Sequence, residues 1–417
     1  MDEALFLGSR AGPGKRVAPG PKSPENGAAM DFTLTEEQRR FAESVGRFAD
    51  RHLADRALTR AHAAEYPWDV ARQLGENGLL GITLAAADGG QGGTLMDAVL
   101  AIEQVARVCP RSADVIQAGN FGAIRALAEF GTAEQKAHYL ADLLAGKTLI
   151  AVGMTEPDAG SAVTELKTKA SPVDGGYRID GSKIFTTNSP EATVFLVYVR
   201  FGPGLDGIGS VLIERDTPGF TLGKPSRFMG GDIWQQLYFE DCRIPATNVV
   251  LGPGGFKKQM SAFNAERIGN AARSLALGRH VFELARVHAG NRKQFGRLLN
   301  DFQGIQWKFA DMAMQLDAGQ LLLYRAAVNA DRGLPSPQET AIAKAYCNRA
   351  GFDIASEALQ VLGGIGFDEQ SLAEYCLRRT RGWMIAGGTI ETMKNRIAEG
   401  VFGRRFSQRS PGAADRG

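Results

Sequence analysis

The sequence has few of the residues from which metal sites and disulfide frameworks are built. Its 417 residues include only four cysteines, and none lies in a CxxC pair or at a metal-binding spacing from a histidine. The spacing therefore predicts neither a zinc site nor a disulfide framework. Isolated thiols of this kind are typical of buried cysteines in a reducing compartment, and we expect a cytoplasmic protein. The four are Cys109, Cys242, Cys347 and Cys376.

The sequence also lacks an excess of charge of either sign and any long apolar run. Its 48 lysines and arginines balance 46 acidic residues, and the net charge of +2 indicates no general affinity for nucleic acid or an acidic membrane. No stretch of about 18 apolar residues occurs, so no transmembrane helix is predicted. The five histidines form no metal-binding pattern, and we expect no metal cofactor.

Residues 1–30 show neither hydrophobic periodicity nor the apolar core of a secretory signal. They are rich in Gly, Pro, Lys and Arg, and the acidic Asp2, Glu3 and Glu25 argue against an amphipathic mitochondrial transit helix. We interpret this segment as a disordered extension or tag, with a candidate native start at its last residue, a methionine. Residues 409–417 are expected to form a flexible tail.

Hydrophobic periodicity divides the rest of the chain into three segments. Residues 31–150 have helical spacing, and Thr35 precedes two glutamates, which is typical of a helix N-terminus. Residues 151–255 contain short β-branched runs separated by Gly, Pro and Asp, which predict a β domain. Residues 256–408 return to long amphipathic helices with short connections, as in an antiparallel bundle. Helices, strands and helices in this order predict an α+β fold.

Six short motifs contain most of the residues that could carry chemistry. The first, MTEPDAGS at residues 154–161, is a turn-forming stretch after a predicted strand, where backbone N–H groups and hydroxyls could contact a ligand. The same pattern is equally typical of an ordinary connection. The other five motifs are DGSKIFTTN (180–188), AERI (265–268), RKQFGRLLNDFQGIQ (292–306), LQVLGGIGF (359–367) and IAGGT (385–389).

Taken in order, the six motifs resemble those of the acyl-CoA dehydrogenase family, and the resemblance extends from about Phe32 to Phe406. It implies an N-terminal helical domain, a middle β-barrel-like domain and a C-terminal four-helix bundle, which agrees with the three segments. It also implies a homotetramer with one FAD per subunit. The implied partners are an acyl-CoA substrate and an electron-transfer flavoprotein or similar electron acceptor.

The resemblance assigns roles to individual positions of this sequence. In the middle domain an aromatic side chain could stack on the flavin ring. The flavin contacts implied there are Met154, Thr155, Ser161, Phe185, Thr186 and Thr187. A second set would reach the FAD of a neighbouring subunit, where a guanidinium pairs well with the pyrophosphate. This set is Arg292, Gln294, Phe295, Gln303, Gln360, Gly363 and Gly364, and Thr389 and Glu391 complete the cofactor contacts. The implied substrate contacts are Ser161, Asn264, Arg267 and Gly388.

The reaction of this family requires a base that removes a proton from the acyl α-carbon while a hydride leaves the β-carbon for flavin N5. Many members have glutamate at the position of Gly387, and a minority have it at the position of Glu266 instead. This sequence has glycine at the first position and glutamate at the second, so the resemblance implies Glu266 as the base. Loss of solvation in a closed cleft would raise the pKa of this carboxyl group.

Gly387 would keep a catalytic role through its backbone N–H, which the family uses to polarise the thioester oxygen. Its missing side chain would leave volume beside the acyl α- and β-carbons. That volume favours a short, branched or substituted acyl group over a plain linear one.

Proteins with this fold can also have functions other than dehydrogenation, and these are alternatives for this sequence. Ala162 and Arg379 stand where the family usually has aspartate. Several motifs are similar to the branch of 3-sulfinopropionyl-CoA desulfinases, which lack the base and depend on an arginine in the region of the CPRSADV segment. Here that position is Asp114, although Arg111 is nearby. A flavin oxidase and a non-catalytic acyl-CoA binder are further alternatives, and the presence of Glu266 favours dehydrogenation.

Overall fold

The computed structural model describes residues 33–331 and 335–407, and the predicted extension 1–30 and tail 409–417 lie outside these ranges. Within the described ranges, the predicted order of helices, strands and helices is confirmed. No helix there is long and apolar enough to cross a membrane. The same residues contain no group of three or more His, Cys, Asp or Glu side chains that could hold a metal ion. The four cysteines are buried free thiols, as their spacing predicted.

From residue 33 onward, where the structure describes the chain, seven helices form the N-terminal domain: α1 (Glu36–His52), α2 (Ala57–His62), α3 (Trp68–Glu76), α4 (Leu95–Val108), α5 (Pro110–Asn120), α6 (Ala123–Phe130) and α7 (Ala133–Leu144). Three of them begin with a capping box, in which a threonine hydroxyl accepts a hydrogen bond from the backbone N–H three residues later. The three threonines are Thr35, Thr94 and Thr132. Pro110 begins α5 and separates it from α4.

Nine strands form the middle domain: β1 (Ile150–Gly153), β2 (Lys169–Val173), β3 (Gly176–Thr187), β4 (Val194–Arg200), β5 (Ile208–Glu214), β6 (Phe220–Leu222), β7 (Ser226–Arg227), β8 (Ile233–Pro245) and β9 (Val249–Leu251). They pair in the order β6-β8-β3-β2-β4-β5-β9, with β1 beside β4 and β7 beside β8. Alternate side chains of the long strands fill a core that includes Phe195, Val197, Leu237 and Phe239.

Six helices form the C-terminal domain: α8 (Phe256–Asn291), α9 (Gln303–Ala330), α10 (Pro337–Leu362), α11 (Gly364–Phe367), α12 (Leu372–Trp383) and α13 (Ile390–Phe402). A short hairpin of β10 (Lys293–Gln294) and β11 (Arg297–Leu298) joins α8 to α9. Helix α8 packs against α4, α5, α9, α10 and α12. Single 3-10 turns lie at Ala86–Asp88, Val163–Glu165, Ala246–Asn248 and Leu299–Asp301.

Helices α8 and α10 approach each other closely because each has a glycine where they meet, Gly278 on α8 and Gly351 on α10. A Cβ atom on Gly351 would lie 2.3 Å from the carbonyl oxygen of Ser274, and one on Gly278 would lie 3.1 Å from Cα of Gly351. Any larger residue would therefore push the two backbones apart. This contact brings the side chains of α8 to the turn that follows α12.

A buried ion network joins the three parts of the chain. It consists of Arg111 and Asp114 on α5, Asp232 before β8, Arg273 on α8 and Arg379 on α12. The carboxylate of Asp114 lies 2.7 Å from Nη2 of Arg379, 2.9 Å from Nη1 of Arg273 and 3.4 Å from Nη1 of Arg111. Asp232 pairs with Arg111 and Arg379. The arginine at 379, a departure from the family pattern, thus has two carboxylate partners.

Burial by itself would raise the pKa of Asp114, but the guanidinium groups of Arg379, Arg273 and Arg111 hold it below its ordinary value. The carboxylate is therefore charged in the folded protein. Removing one partner of a buried ion pair costs about 3–5 kcal/mol, because the opposite charges are left in the interior without compensation.

We expect Asp114→Asn to lower the free energy of unfolding by about 3–5 kcal/mol at neutral pH. Because the pKa of Asp114 is lowered in the folded state, this stabilisation is present above the ordinary aspartate pKa of about 4 and is lost as the pH falls below it. Thermal unfolding midpoints from pH 7 down to about pH 2 measure the effect, with the full difference expected above pH 4 and its loss below. Asp180→Asn, which breaks an exposed pair with Arg178, is the control and should cost at most about 1 kcal/mol. Equal midpoints for the two variants would contradict the assigned role of Asp114.

Candidate active site

An exposed aromatic ring marks the predicted flavin face of the middle domain. The register of β3 against β8 shifts between Lys183 and Thr186, and Phe185 lies in this irregularity with a φ of 60°. Bulges of this kind redirect a side chain. The ring of Phe185 is 52% exposed and lies 4.8 Å from the ring of Trp234, centroid to centroid. The buried hydroxyl of Thr186 has no hydrogen-bond partner in the described chain, whereas Thr187 is exposed.

The MTEPDAGS loop is fixed beside this ring by a buried carboxylate. Glu156 accepts hydrogen bonds from Nζ of Lys183 (2.7 Å), from the backbone N–H of Lys167 (2.6 Å) and from both the backbone N–H and the hydroxyl of Thr168 (2.8 and 2.6 Å). Burial lowers the pKa of Lys183 to about 8, although Glu156 opposes the shift. The carbonyl oxygen of Thr155 accepts from the backbone N–H of Ile184, which brings the loop to the residue before Phe185.

Two predicted contacts in this loop, Met154 and Thr155, are half-buried beside β3, whereas Ser161 is exposed at its end. An apolar ring left open and an unpaired buried hydroxyl are features that a flat, hydrogen-bonding ring system can satisfy. The described residues therefore fit a flavin at this face.

The second predicted cofactor set lies apart from other side chains of the described chain. Phe295, at the tip of the β10–β11 hairpin, has a φ of 52° and is 94% exposed. The remaining exposed members are Arg292, Gln294, Gln303, Gln360, Gly363 and Gly364. Thr389 caps α13 by accepting from the N–H of Thr392, and Glu391 is exposed in its first turn.

The predicted base lies between two helices. Oε2 of Glu266 on α8 accepts a hydrogen bond of 2.7 Å from Nε2 of Gln117 on α5. Gly269 makes room for this glutamine, since a Cβ there would lie 2.0 Å from Oε1 of Gln117. Burial raises the pKa of Glu266. Arg273, the hydrogen bond from Gln117 and Lys344 act in the opposite direction, but burial is the larger effect. The direction of shift expected from the sequence is therefore present.

The turn that carries Gly387 is held by hydrogen bonds to its backbone carbonyls. Nζ of Lys344 donates to the carbonyl oxygens of Trp383 (3.1 Å) and Gly388 (2.8 Å). Nε of Arg267 donates to the carbonyl oxygen of Gly387 (3.2 Å). Both glycines have positive φ, 72° at Gly387 and 93° at Gly388, which favours glycine at each position. The turn is thus shaped and fixed before any ligand binds.

Asn348 on α10 donates a further hydrogen bond of 2.6 Å to the carbonyl oxygen of Trp383. The ring of Trp383 lies under two guanidinium groups of the buried ion network, 4.8 Å from Cζ of Arg273 and 5.0 Å from Cζ of Arg379. The start of the turn is therefore tied both to α10 and to the ion network.

Two of the predicted substrate contacts interact with each other. Nη1 of Arg267 donates a hydrogen bond of 2.7 Å to Oδ1 of Asn264, while its Nε holds Gly387. Burial lowers the pKa of Arg267 to about 10, and Arg396 adds to the shift. The structure thus brings Asn264, Arg267 and Gly388 to one side of the Gly387 turn, with Arg267 already engaged in holding it.

The expectation that Gly387 leaves free volume requires a correction. An ideal Cβ at this position would lie 3.0 Å from Nδ2 of Asn270 and 3.4 Å from Cε of Lys344. The carboxamide of Asn270 therefore takes part of the space that a side chain would need. The space beside Gly387 is reduced because α8 packs close to this turn, and the sequence did not indicate that contact.

Sequence reasoning missed three residues of this pocket. Lys344 is fully buried, and burial lowers its pKa to about 7, with Arg267 adding to the shift and Glu266 opposing it. A lysine within the apolar spacing of AIAKAYC was the available signal. Nothing in the local sequence distinguishes Asn270 or Gln117 from ordinary residues of a helix.

Comparison with known families agrees with this geometry. Residues 35–147 match the model of the acyl-CoA dehydrogenase N-terminal domain, residues 151–242 that of the middle domain, and residues 253–402 that of the C-terminal domain. The chain therefore belongs to the acyl-CoA dehydrogenase family, and the predicted three-domain fold is confirmed.

Individual relatives cover almost the whole chain. A 3-sulfinopropanoyl-CoA desulfinase of Paraburkholderia xenovorans is 33% identical over 386 residues, which are 91% of this chain and 99% of the relative. The structure of butyryl-CoA dehydrogenase from Megasphaera elsdenii is 33% identical, with a TM-score of 0.84 over 89% of this chain and 100% of that one. A glutaryl-CoA dehydrogenase from Mycobacterium smegmatis in complex with FADH2 is 25% identical, with a TM-score of 0.84 over 90% and 97% of the two chains.

We expect Gln117→Leu to raise the pKa of Glu266 further, because the variant loses a hydrogen bond to the charged form. Hydrogen bonds to charged groups contribute about 1.5–3 kcal/mol, which corresponds to about one to two pH units. Infrared difference spectra of the carboxyl stretch, assigned with Glu266→Gln, give the midpoint of protonation. Gln306→Leu, at an exposed position on α9, is the control and should leave the midpoint unchanged. An unchanged midpoint in Gln117→Leu would show that the contact does not stabilise the carboxylate.

Proposed function

We propose that the protein is an FAD-dependent acyl-CoA dehydrogenase in which Glu266 removes the α-proton of the acyl-CoA substrate. The observation that carries the proposal is the carboxyl group of Glu266 on α8, which accepts from Gln117 and directly precedes Arg267, the residue that donates to the carbonyl oxygen of Gly387. Burial raises the pKa of this carboxyl group, and Gly387 stands where many members of the family have their base. A base of raised pKa is suited to accept a proton and to release it again near neutral pH.

FAD, when bound, accepts the hydride that leaves the β-carbon. The fit of the residues around Phe185 to a flat ring supports this cofactor, and the Mycobacterium smegmatis relative was solved with FADH2. We assign Phe185, Thr186 and the loop from Met154 to Ser161 to the flavin ring of the same subunit.

The remaining residues position the substrate and exclude water. The backbone N–H of Gly387 polarises the thioester oxygen, which favours loss of the α-proton because negative charge develops on that oxygen. Lys344 and Arg267 hold the carbonyl groups of this turn, so the N–H direction is fixed before substrate binds. Gln117 orients the carboxylate of Glu266.

A desulfinase reaction is the second candidate, because three relatives that are 32–33% identical carry that name. The resemblance connects desulfination with an arginine in the CPRSADV segment, where this chain has Asp114. The neighbouring Arg111 is 5% exposed and its guanidinium pairs with both aspartates of the buried ion network. This arginine is therefore not available to a substrate, and dehydrogenation is favoured over desulfination. The retained flavin motifs argue against a non-catalytic binder, and an oxidase such as a nitroalkane oxidase would need a different base.

We also propose a homotetramer and an electron-transfer flavoprotein as acceptor, both implied by the family, and a cytoplasmic location. Helix α9 exposes an apolar stripe of four side chains spaced seven residues apart, which supports burial against a second copy of the chain. The stripe is Trp307, Met314, Leu321 and Val328, and its side chains are 62%, 64%, 48% and 38% exposed. The hairpin that carries Arg292, Gln294 and Phe295 directly precedes α9, so the same contact could bring it to the neighbour's FAD.

We expect Glu266→Gln to reduce the rate of flavin bleaching by a good acyl-CoA substrate by a factor of about 10²–10⁴ under anaerobic conditions. The change is nearly isosteric, so FAD content and CoA-thioester binding should be retained. Stopped-flow absorbance of the oxidised flavin measures the rate.

Glu165→Gln, in the short turn after the MTEPDAGS loop, is the matched control and should bleach at the wild-type rate. If Glu266→Gln bleaches as fast as wild type, Glu266 is not the base. Sulfite release from 3-sulfinopropionyl-CoA without bleaching would instead support the desulfinase alternative.

We expect Met314→Glu combined with Leu321→Glu to weaken assembly, because two charges would have to be buried in an apolar contact. Light scattering after gel filtration should show smaller particles, and FAD should be lost in parallel if the neighbour supplies cofactor contacts. Thr221→Glu, which adds charge on an exposed position of β6, is the control. A double variant of unchanged mass would rule out this stripe as the subunit contact.

A further inference from the structure

Asn270 is a buried side chain whose carboxamide oxygen has no protein partner among the described residues. Its side chain is 2% exposed, and Oδ1 lacks a hydrogen-bond partner there. Oδ1 of Asn120 and Oδ1 of Asn348 are also unpartnered, but these two side chains donate from Nδ2 to backbone carbonyls, and Asn264 accepts from Arg267. A buried carboxamide without a partner is costly and requires an explanation.

The carboxamide faces the space beside Gly387. Nδ2 of Asn270 lies 3.0 Å from the position of an ideal Cβ on that glycine. Asn270 also lies four residues after Glu266 on α8, so the two side chains are on the same face of the helix. The donor and acceptor of the amide are therefore one helical turn from the base and border the position where many relatives place theirs.

We propose that Asn270 selects acyl-CoA substrates that carry an oxygen substituent, a hydroxyl or a carboxylate, on the α- or β-carbon. This inference rests on the proposed function, in which the α-carbon lies next to Glu266 and the Gly387 turn. A hydroxyl on either carbon can accept from Nδ2 and donate to Oδ1, so it satisfies both atoms. A carboxylate can accept from Nδ2.

The charges around the amide favour an oxygen substituent over an apolar one. Cε of Lys344 lies 3.4 Å from the ideal Cβ position on Gly387 that Nδ2 of Asn270 also approaches, and Arg267 donates to the carbonyl oxygen of the same glycine. Arg273 is paired with Asp114, but Lys344 donates only to backbone carbonyls. An anionic or dipolar oxygen is therefore stabilised here, whereas a methyl group would leave the amide unpaired.

Pairs of acyl-CoAs that differ only by exchange of an oxygen group for an alkyl group of similar shape test the inference. The pairs are 3-hydroxybutanoyl with 3-methylbutanoyl, 2-hydroxypropanoyl with 2-methylpropanoyl, and succinyl with 4-methylpentanoyl. For the FAD-loaded full chain, kcat/KM for flavin bleaching and Kd from anaerobic calorimetry are measured with both members of each pair.

The wild type should favour the oxygen-bearing member in at least one pair. Asn270→Leu, of similar size and apolar, should shift that preference at least about tenfold towards the alkyl member, because a site built for a hydrogen bond discriminates strongly against its absence. Asn270→Asp should keep a hydroxyl substrate and reject succinyl-CoA by charge repulsion, which distinguishes the two oxygen groups. Asn329→Leu, on the exposed end of α9, is the control and should change neither ratio.

Unchanged ratios of both kcat/KM and Kd in Asn270→Leu and Asn270→Asp would overturn the inference. Failure of the proposed function looks different, because it abolishes bleaching with every acyl-CoA. If bleaching is absent, the ratio of Kd values for the two members of each pair decides. A change of this ratio in the Asn270 variants supports selection by Asn270, and an unchanged ratio overturns the inference.

Discussion

The contact of one buried carboxylate, Asp114, with three guanidinium groups is the interaction on which the rest of the site depends. It joins α5 to α8 through Arg273 and to α12 through Arg379. Gln117 lies one helical turn further along α5, so the same docking that pairs Asp114 also places the amide beside Glu266. The contact of Gln117 with Glu266, the proposed base, therefore depends on ion pairing in the interior between α5 and α8.

The same network also determines the shape of the turn that faces the base. Arg273 and Arg379 lie over the ring of Trp383, and the carbonyl group of that residue receives hydrogen bonds from two side chains of α10. The ion network at the domain junction thus contacts the ring of Trp383, and the carbonyl group of Trp383 begins the turn that carries Gly387. Because these contacts are buried, they hold the turn in one arrangement. In the proposed mechanism, the N–H of Gly387 would then need no reorganisation as charge develops on the substrate.

Local sequence patterns were sufficient to predict the order of the domains, the helix cap at Thr35 and the direction in which the pKa of Glu266 is shifted. These depend on residues close in the chain or on motifs read in order. The contacts that complete the site could not be predicted, because they join distant segments. Asp114 and Arg379 are 265 positions apart, and Gln117 and Glu266 are 149 apart. Periodicity indicates that a helix has a buried face, but it does not indicate which side chain of another helix lies opposite.

The conformation of the Gly387–Gly388 turn restricts which residues can occupy position 387. A glutamate introduced at Gly387 would meet the carboxamide of Asn270, and it would require a left-handed backbone that residues other than glycine rarely adopt. Under the proposed mechanism, a base at position 387 would therefore require several substitutions, each unfavourable alone while Glu266 is in place. Packing by Asn270 and the backbone conformation of this turn thus favour a base on α8 over a base on the turn.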